Sequence, residues 1–174
     1  VAGVTDTNVF TDLFVRDLET DTTFLVTRNI DDTAGQFSFT YEWTPDGSAI
    51  VFESPSDKLV AGVSDTNLGN DVFSWDVATQ EITILSADPS GTTAGDAVSH
   101  IVDVGTDGRY VAFASASTNL TPESAGGDVQ QDLYVHDTAN DTTAYAARNA
   151  STSVVWGLAR FSPDGEHLLY ESAA

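Results

Sequence analysis

The sequence predicts an all-β protein built from repeated units, because two short phrases return at a nearly constant interval. The first is an Asp-Gly pair, at positions 46–47, 107–108 and 164–165. The second is an apolar segment flanked by Asp, at positions 12–17, 71–76 and 132–137. Self-similarity at a fixed interval of tens of residues is the sequence signature of repeat architectures.

Each repeat is predicted to contain four short strands. Phe37, Phe39, Tyr41 and Trp43 alternate with polar residues, which predicts a half-buried first strand. The Asp-Gly turn leads directly into an apolar second strand at 49–52, as in a tight hairpin. The third strand ends in the repeated Asp, and a short polar turn leads to the fourth strand.

Antiparallel four-stranded units in tandem are typical of β-propeller blades, and the long interval here fits extended loops. The predicted fold is therefore a β-propeller with three four-stranded blades in this chain. Residues 1–30 supply the third and fourth strands of a half blade, residues 31–90 and 91–150 form full blades, and residues 151–174 supply the first and second strands of another half blade.

The repeated phrases also resemble a known family. Residues 162–172 (SPDGEHLLYES) and the pattern DTN…DVF…D at 65–76 are similar to the WD-like blades of the TolB family. They also resemble the propeller domains of prolyl oligopeptidase-type peptidases. The resemblance covers almost the whole chain and implies blade architecture, and the TolB family implies a ring of six blades.

Three blades are too few for a closed ring, since propellers typically have 4–8. The two half blades contain complementary strands. We therefore expect either a homodimer, in which two chains close one six-bladed ring, or a segment whose ring is completed by the remainder of a larger propeller.

The charge of the chain is strongly acidic. Asp and Glu total 27 against 6 Lys and Arg, for a formal net charge of -21. Such a surface repels phosphate, which excludes nucleic acid as a partner. No apolar run approaches the roughly 20 residues that span a bilayer, so no membrane insertion is expected. The composition resembles that of halophile proteins, and the alternative explanation is solubility.

The chain has no Cys and no Met and starts at Val1. The lack of Cys removes disulfides, thiolate catalysis and zinc–thiolate sites. The start indicates a mature or trimmed product whose targeting segment has been removed. We expect an exported protein that is extracellular, on the cell surface or periplasmic.

The most specific polar pattern is a loop with carboxylate and amide side chains. Its members are Asp6, Asn8 and Asp12 in the first copy, Asp65, Asn67 and Asp71 in the second, and Asp128 and Asp132 in the third. Oxygen ligands at alternate positions before a later carboxylate fit a hard cation, so calcium is the one cofactor that the sequence suggests. The alternative is that these side chains cap turns and strand starts.

No catalytic residue is predicted. The chain has no nucleophile elbow, Walker loop or dinucleotide fingerprint, and none of its three His residues has metal-ligand spacing. Asp residues at the same place in every repeat indicate a structural role, because an active site needs asymmetry. The sequence therefore predicts a protein that is not an enzyme.

The tryptophans and the glycosylation sequons are the remaining candidates. Trp43 is predicted to lie in a blade core, whereas Trp75 occupies a variable position and is predicted to be exposed. Exposed Trp75 or Trp156 would suit stacking on a sugar. Asn140 and Asn149 begin glycosylation sequons, which matter if the protein is exported.

The predicted function is a non-catalytic binding or scaffolding module for protein–protein or cell-surface assembly, because a propeller presents a rigid face with variable loops. The resemblance also implies a rival, an accessory propeller of an α/β-hydrolase-type peptidase. A carbohydrate-binding propeller is the third alternative.

Overall fold

A computed structural model describes residues 5–6, 8–37, 40–126, 131–148 and 159–171. Within these ranges the secondary structure is almost entirely β. The strands are β1 (Phe14–Asp17), β2 (Thr22–Leu25), β3 (Tyr41–Trp43), β4 (Ala49–Ser54), β5 (Asp71–Asp76), β6 (Ile82–Ile84), β7 (Ser99–Val104), β8 (Tyr110–Ser115), β9 (Asp132–Asp137), β10 (Thr142–Ala147), β11 (Arg160–Phe161) and β12 (Leu168–Leu169). A 3-10 helix spans Pro122–Gly126. No helix in the described ranges is long and apolar enough to cross a membrane.

The strands form antiparallel sheets in which sequence neighbours are paired. Strands β3 to β6 form the first complete blade, and β7 to β10 form the second. Strands β1 and β2 pair with each other as the N-terminal strand pair, and β11 and β12 as the C-terminal strand pair. This arrangement confirms the prediction of an all-β fold made of propeller blades.

The Asp-Gly phrase is explained by the hairpin between the first two strands of each unit. The glycines at 47, 108 and 165 all have φ between 72° and 74°, a region that favours Gly. The preceding Asp accepts a hydrogen bond from the backbone N–H two residues later, as Asp46 does from Ser48 at 3.0 Å. The phrase therefore marks a turn rather than a reactive carboxylate.

The Asp that ends each third strand has a similar structural role. Asp76 accepts hydrogen bonds from the backbone N–H groups of Ala78 at 3.0 Å and Thr79 at 2.7 Å, and these bonds hold the pKa of its carboxyl below the usual value. Asp137 also receives two bonds from the Arg109 guanidinium, at 2.9 and 2.7 Å, which lowers its pKa further. These contacts fix the turn into the fourth strand.

Three apolar clusters hold the units together, each lying between adjacent sheets. The first joins the N-terminal strand pair to the first complete blade, and its members include Leu13, Val26, Ile50, Phe52, Phe73 and Trp75. The second joins the two complete blades through Val51, Val72, Leu85, Val104, Phe113 and Tyr134. The third joins the second complete blade to the C-terminal strand pair through Ala112, Ala114, Leu133, Ala159, Phe161 and Leu168. Each complete blade therefore packs against a neighbouring unit on both of its faces.

The predictions for two tryptophans were wrong. Trp75 is only 2% exposed and lies 6.2 Å from Phe24 between ring centroids. It is buried because it pairs with Ile50 and shares that residue's face, which the N-terminal strand pair covers. Trp43 is 44% exposed and Tyr41 is 54% exposed, although both share this face.

Trp43 and Tyr41 are exposed because the described part of the covering unit has two strands. The N-terminal strand pair corresponds to the third and fourth strands of a blade, so it packs over the later strands of the first complete blade. The first strand, β3, lies beyond its reach, and all three of its residues are exposed. Phe39, predicted on the same face, lies outside the described residues.

Candidate functional site

The first polar loop brings its three predicted side chains together. The Asn8 side-chain amide donates to the Ala34 carbonyl at 3.0 Å and to Asp12 Oδ1 at 3.5 Å. Its oxygen accepts from the backbone N–H of Phe10 at 2.7 Å, while Asp6 Oδ1 accepts from the Asn8 N–H at 3.2 Å. The Asn side chain therefore closes a turn and ties it to the next loop.

The second loop repeats this arrangement. The Asn67 amide donates to the Gly95 carbonyl and lies 3.5 Å from Asp71 Oδ2, and its oxygen accepts from the Gly69 N–H. Asp65 Oδ1 accepts from the Asn67 N–H at 3.0 Å. Agreement between two independent copies shows that the phrase encodes one local geometry.

These contacts bear on the calcium prediction. In both loops the Asn amide N–H group faces the later Asp, so the Asn oxygen and that carboxylate do not converge on one point. Asp71 is fully buried and accepts from Ser86 Oγ at 2.6 Å, and burial raises its pKa to about 7. The hydrogen bonds account for the loops as structural turns, and calcium binding stays a prediction. Asp132 starts β9, whereas Asp128 lies outside the described residues.

A buried carboxylate links the two complete blades and was missed by sequence reasoning. Glu53 is almost fully buried at the end of β4. Its Oε1 accepts from the Ile101 N–H at 2.9 Å, and its Oε2 accepts from Asn70 Nδ2 at 3.1 Å and lies 3.1 Å from His100 Nδ1. The bond to Glu53 raises the pKa of His100. The sequence feature that could have revealed Glu53 is that it is the only charged residue in the otherwise mostly apolar strand AIVFES.

The next junction has its own polar contact. Asp103 Oδ2 accepts from the Phe161 N–H at 2.6 Å, and its Oδ1 lies 3.8 Å from the Arg160 guanidinium. Asp103 belongs to β7 and Phe161 to β11, so this carboxylate ties the second complete blade to the C-terminal strand pair. Both carboxylates, Glu53 and Asp103, are therefore structural links between sheets.

His136 is a core residue rather than a ligand. It is buried between two clefts of about 310 and 590 Å³. Its Nδ1 lies 3.0 Å from Thr143 Oγ1 and its Nε2 lies 3.6 Å from Asp141. Burial lowers the pKa of His136. These contacts hold β9 against β10 and suggest no chemistry.

Large apolar side chains are exposed at two places. The β1 face consists of Tyr41 and Trp43, which share one face of β3 and are 54% and 44% exposed. The β12 face consists of Leu169, which is 74% exposed. By the spacing of the repeats, Trp43 is equivalent to Val104 and Leu169 to Val51, both buried, whereas Val102, the equivalent of Tyr41, is half-buried.

The other predicted sites add little to this picture. Asn140 lies in the exposed turn after β9, and its Nδ2 donates to Asp137 Oδ2 at 2.7 Å. Glycosylation at Asn140 stays a prediction. Asn149 and Trp156 lie outside the described residues.

Comparison with known proteins supports the fold. No protein-family model matches the chain, and no curated protein matches it. Among solved structures the chain is similar to TolB from Acinetobacter baumannii, with 16% identity and a TM-score of 0.51 over 93% of this chain and 32% of that chain. It is also similar to an oligogalacturonate lyase in complex with manganese, with 22% identity and a TM-score of 0.48 over 91% of this chain and 37% of that chain.

The chain spans about a third of the length of each of these structures. The likeness to TolB shows a TolB-like β-propeller fold and confirms the resemblance that the repeated phrases carry. At this identity it shows the fold alone, because one fold hosts many unrelated functions.

Proposed function

We propose that this chain is a non-catalytic, exported β-propeller module that works by binding protein through the β1 face and the β12 face. The observation that carries the proposal is the exposure of large apolar side chains on these two faces.

The β1 face has the properties of a protein-binding surface. Aromatic residues such as Tyr41 and Trp43 are enriched where partners bind, and burying one such side chain stabilises a complex by roughly 1.5–3 kcal/mol.

Charge supports the proposed setting. At a formal charge of -21 the chain is kept in solution by self-repulsion, and concentrated salt would screen that repulsion at its surface. A location outside the cytoplasm, in a salt-rich medium, is part of this proposal. The acidity also supports a protein partner over nucleic acid.

The alternatives have less support. The carbohydrate-binding alternative was based on Trp75 and Trp156, of which Trp75 is buried and Trp156 lies outside the described residues. A role as the accessory propeller of a peptidase rests on the resemblance of the repeated phrases alone. Neither alternative uses the exposed residues of the β1 face.

The proposal is tested by combining solution mass with binding of the apolar dye ANS. The Tyr41→Ser/Trp43→Ser variant is compared with a control, Leu18→Ser/Ile30→Ser, which alters exposed residues outside both faces. We expect the wild type either to associate or to bind ANS as a monomer, and only the first variant to lose this behaviour. A monomeric wild type that binds no more ANS than that variant would contradict the proposal.

A further inference from the structure

We propose that a cleft between the two complete blades binds a small organic cation with a primary ammonium group and an apolar tail. The cleft is the smaller of the two beside His136, and its volume of about 310 Å³ is at the lower end of the range of small-ligand pockets. None of the described residues that line it belongs to the β1 face or the β12 face. This binding site is therefore additional to the proposed function.

The walls of the cleft are largely apolar and come from both complete blades. The apolar residues of the lining include Val60, Val63, Ile82, Ile84, Leu85 and Leu120. Val60, Val63 and Ile82 are only partly buried, so they present apolar surface to the cleft. Burial of an alkyl tail against such walls strengthens binding by up to about fourfold for each CH₂ group.

Two hydrogen-bond acceptors lie close together in the lining. Thr143 Oγ1 donates to the Leu85 carbonyl at 3.4 Å, so it accepts from His136 Nδ1, which lies 3.0 Å away. We therefore assign the imidazole proton to Nδ1, which leaves Nε2 as an acceptor. Nε2 lies 3.6 Å from Asp141 Oδ1, too far for a direct hydrogen bond between the two side chains.

A primary ammonium group suits this pair of acceptors. It carries three N–H donors and no acceptor, so one N–H group bonds His136 Nε2 while a second bonds Asp141 Oδ1. The His136 side chain is 3% exposed, and its burial lowers the pKa of the imidazole. The ring is therefore neutral at about pH 7 and keeps the lone pair that accepts the bond.

The charge of the cleft favours a cation over a neutral donor. Asp88 and Asp141 line it, and the described lining residues include no Lys or Arg. The chain as a whole has a formal net charge of -21, which raises the local concentration of cations. Quaternary ammonium groups are recognised by aromatic rings, and the described lining contains none. The cleft therefore favours a primary over a quaternary ammonium.

Isothermal titration calorimetry at about 0.15 M salt tests this specificity. Hexylammonium is expected to bind with a Kd of about 1 mM or tighter. Hexyltrimethylammonium, hexanol and hexanoate, which have the same tail, are expected to bind at least about tenfold more weakly, because each lacks the charged N–H donors. Butylammonium, with two fewer CH₂ groups, is expected to bind up to about 15-fold more weakly than hexylammonium.

Matched variants place the site in the cleft. Asp141→Asn is expected to weaken hexylammonium binding by about tenfold or more. Asp21→Asn is the control, because Asp21 occupies the equivalent turn with φ of 59°, against 51° for Asp141, and Asn tolerates this conformation. Val63→Ser alters the wall and not the acceptors, so it is expected to reduce the difference in affinity between hexylammonium and butylammonium.

The outcomes separate a built site from general attraction to an acidic surface. Binding of hexylammonium that is lost in Asp141→Asn and kept in Asp21→Asn supports the inference. No binding by the wild type at about 10 mM hexylammonium, ten times the expected Kd, overturns it. Equal losses in the two Asp variants, or equal affinity for hexyltrimethylammonium, would also overturn it, because the surface charge alone would then explain the binding.

Discussion

Glu53→Gln is the perturbation that most directly tests the contact between the complete blades. The substitution keeps an oxygen for the Ile101 N–H but turns an amide N–H group toward Asn70 Nδ2 and His100 Nδ1. Two hydrogen bonds to a charged acceptor are lost, each worth about 1.5–3 kcal/mol. Because Asn70 and His100 are partly exposed and can turn to water, we expect a total loss of about 3 kcal/mol.

Part of this loss depends on pH through His100. Glu53 raises the pKa of His100, so the folded state binds the proton more tightly than the unfolded state. The stabilisation is complete below the ordinary His pKa of about 6.5 and is lost as pH rises through the raised value. Glu53→Gln is therefore expected to destabilise the protein more at about pH 5.5 than at about pH 9.

Urea unfolding followed by tryptophan fluorescence measures this difference, since Trp75 is buried in the first complete blade. The matched control is His100→Gln, which removes the titrating group but leaves the bonds from Ile101 and Asn70 to Glu53. The His100→Gln variant is expected to lose only the pH-dependent part of the free energy of unfolding. A Glu53→Gln effect below about 0.5 kcal/mol, or one equal at both pH values, would refute the reasoning.

Four further predictions follow from other contacts. Gly47→Ala is expected to lower the free energy of unfolding by roughly 1 kcal/mol, because Gly47 has a positive φ. Gly108→Ala is expected to lower it by more, because Gly108 also has a positive φ and its new Cβ would lie 2.9 Å from Thr44 Cγ2. Thermal unfolding of both variants checks this difference. Trp75→Ala is expected to cost about 3–5 kcal/mol in urea unfolding, as for other buried aromatic residues. If calcium binds the second polar loop, added Ca²⁺ raises the melting temperature of the wild type more than Mg²⁺ does, and Asp71→Asn abolishes this difference. A difference between Ca²⁺ and Mg²⁺ that is as large in the variant as in the wild type would contradict calcium binding at this loop. Raising salt from about 0.1 M is expected to increase the solution mass measured by light scattering, and a falling mass would contradict screening as the cause.

Local features of the fold were predictable from the sequence. The Asp-Gly turns and the strand-ending Asp residues depend on hydrogen bonds spanning two or three residues, so their chemistry is visible in a short phrase. The Asp-Gly turn likewise located the apolar second strand, which the structure places at Ala49–Ser54. The polar loops could be located in the same way, because Asn67 contacts Asp65 and Asp71 nearby in sequence.

Contacts between blades were not predictable in this way. Glu53 reaches His100, 47 residues away, and nothing near either residue indicates the other. Trp75 and Trp43 were assigned the wrong exposure because comparison among repeats assumes that every repeat has the same neighbours. Burial in a propeller depends on which strands of the adjacent unit are present, and that is a property of the assembly.

Packing at the junctions between units is specific as well as repeated. The equivalent pairs are Val51 with Val104 and Ala112 with Phe161, so the size of the paired side chains differs between these two junctions. Cores tolerate substitution when total volume is kept, and each pair must fill the gap left by its own neighbours. Repeats that share one fold are therefore not interchangeable at their junctions.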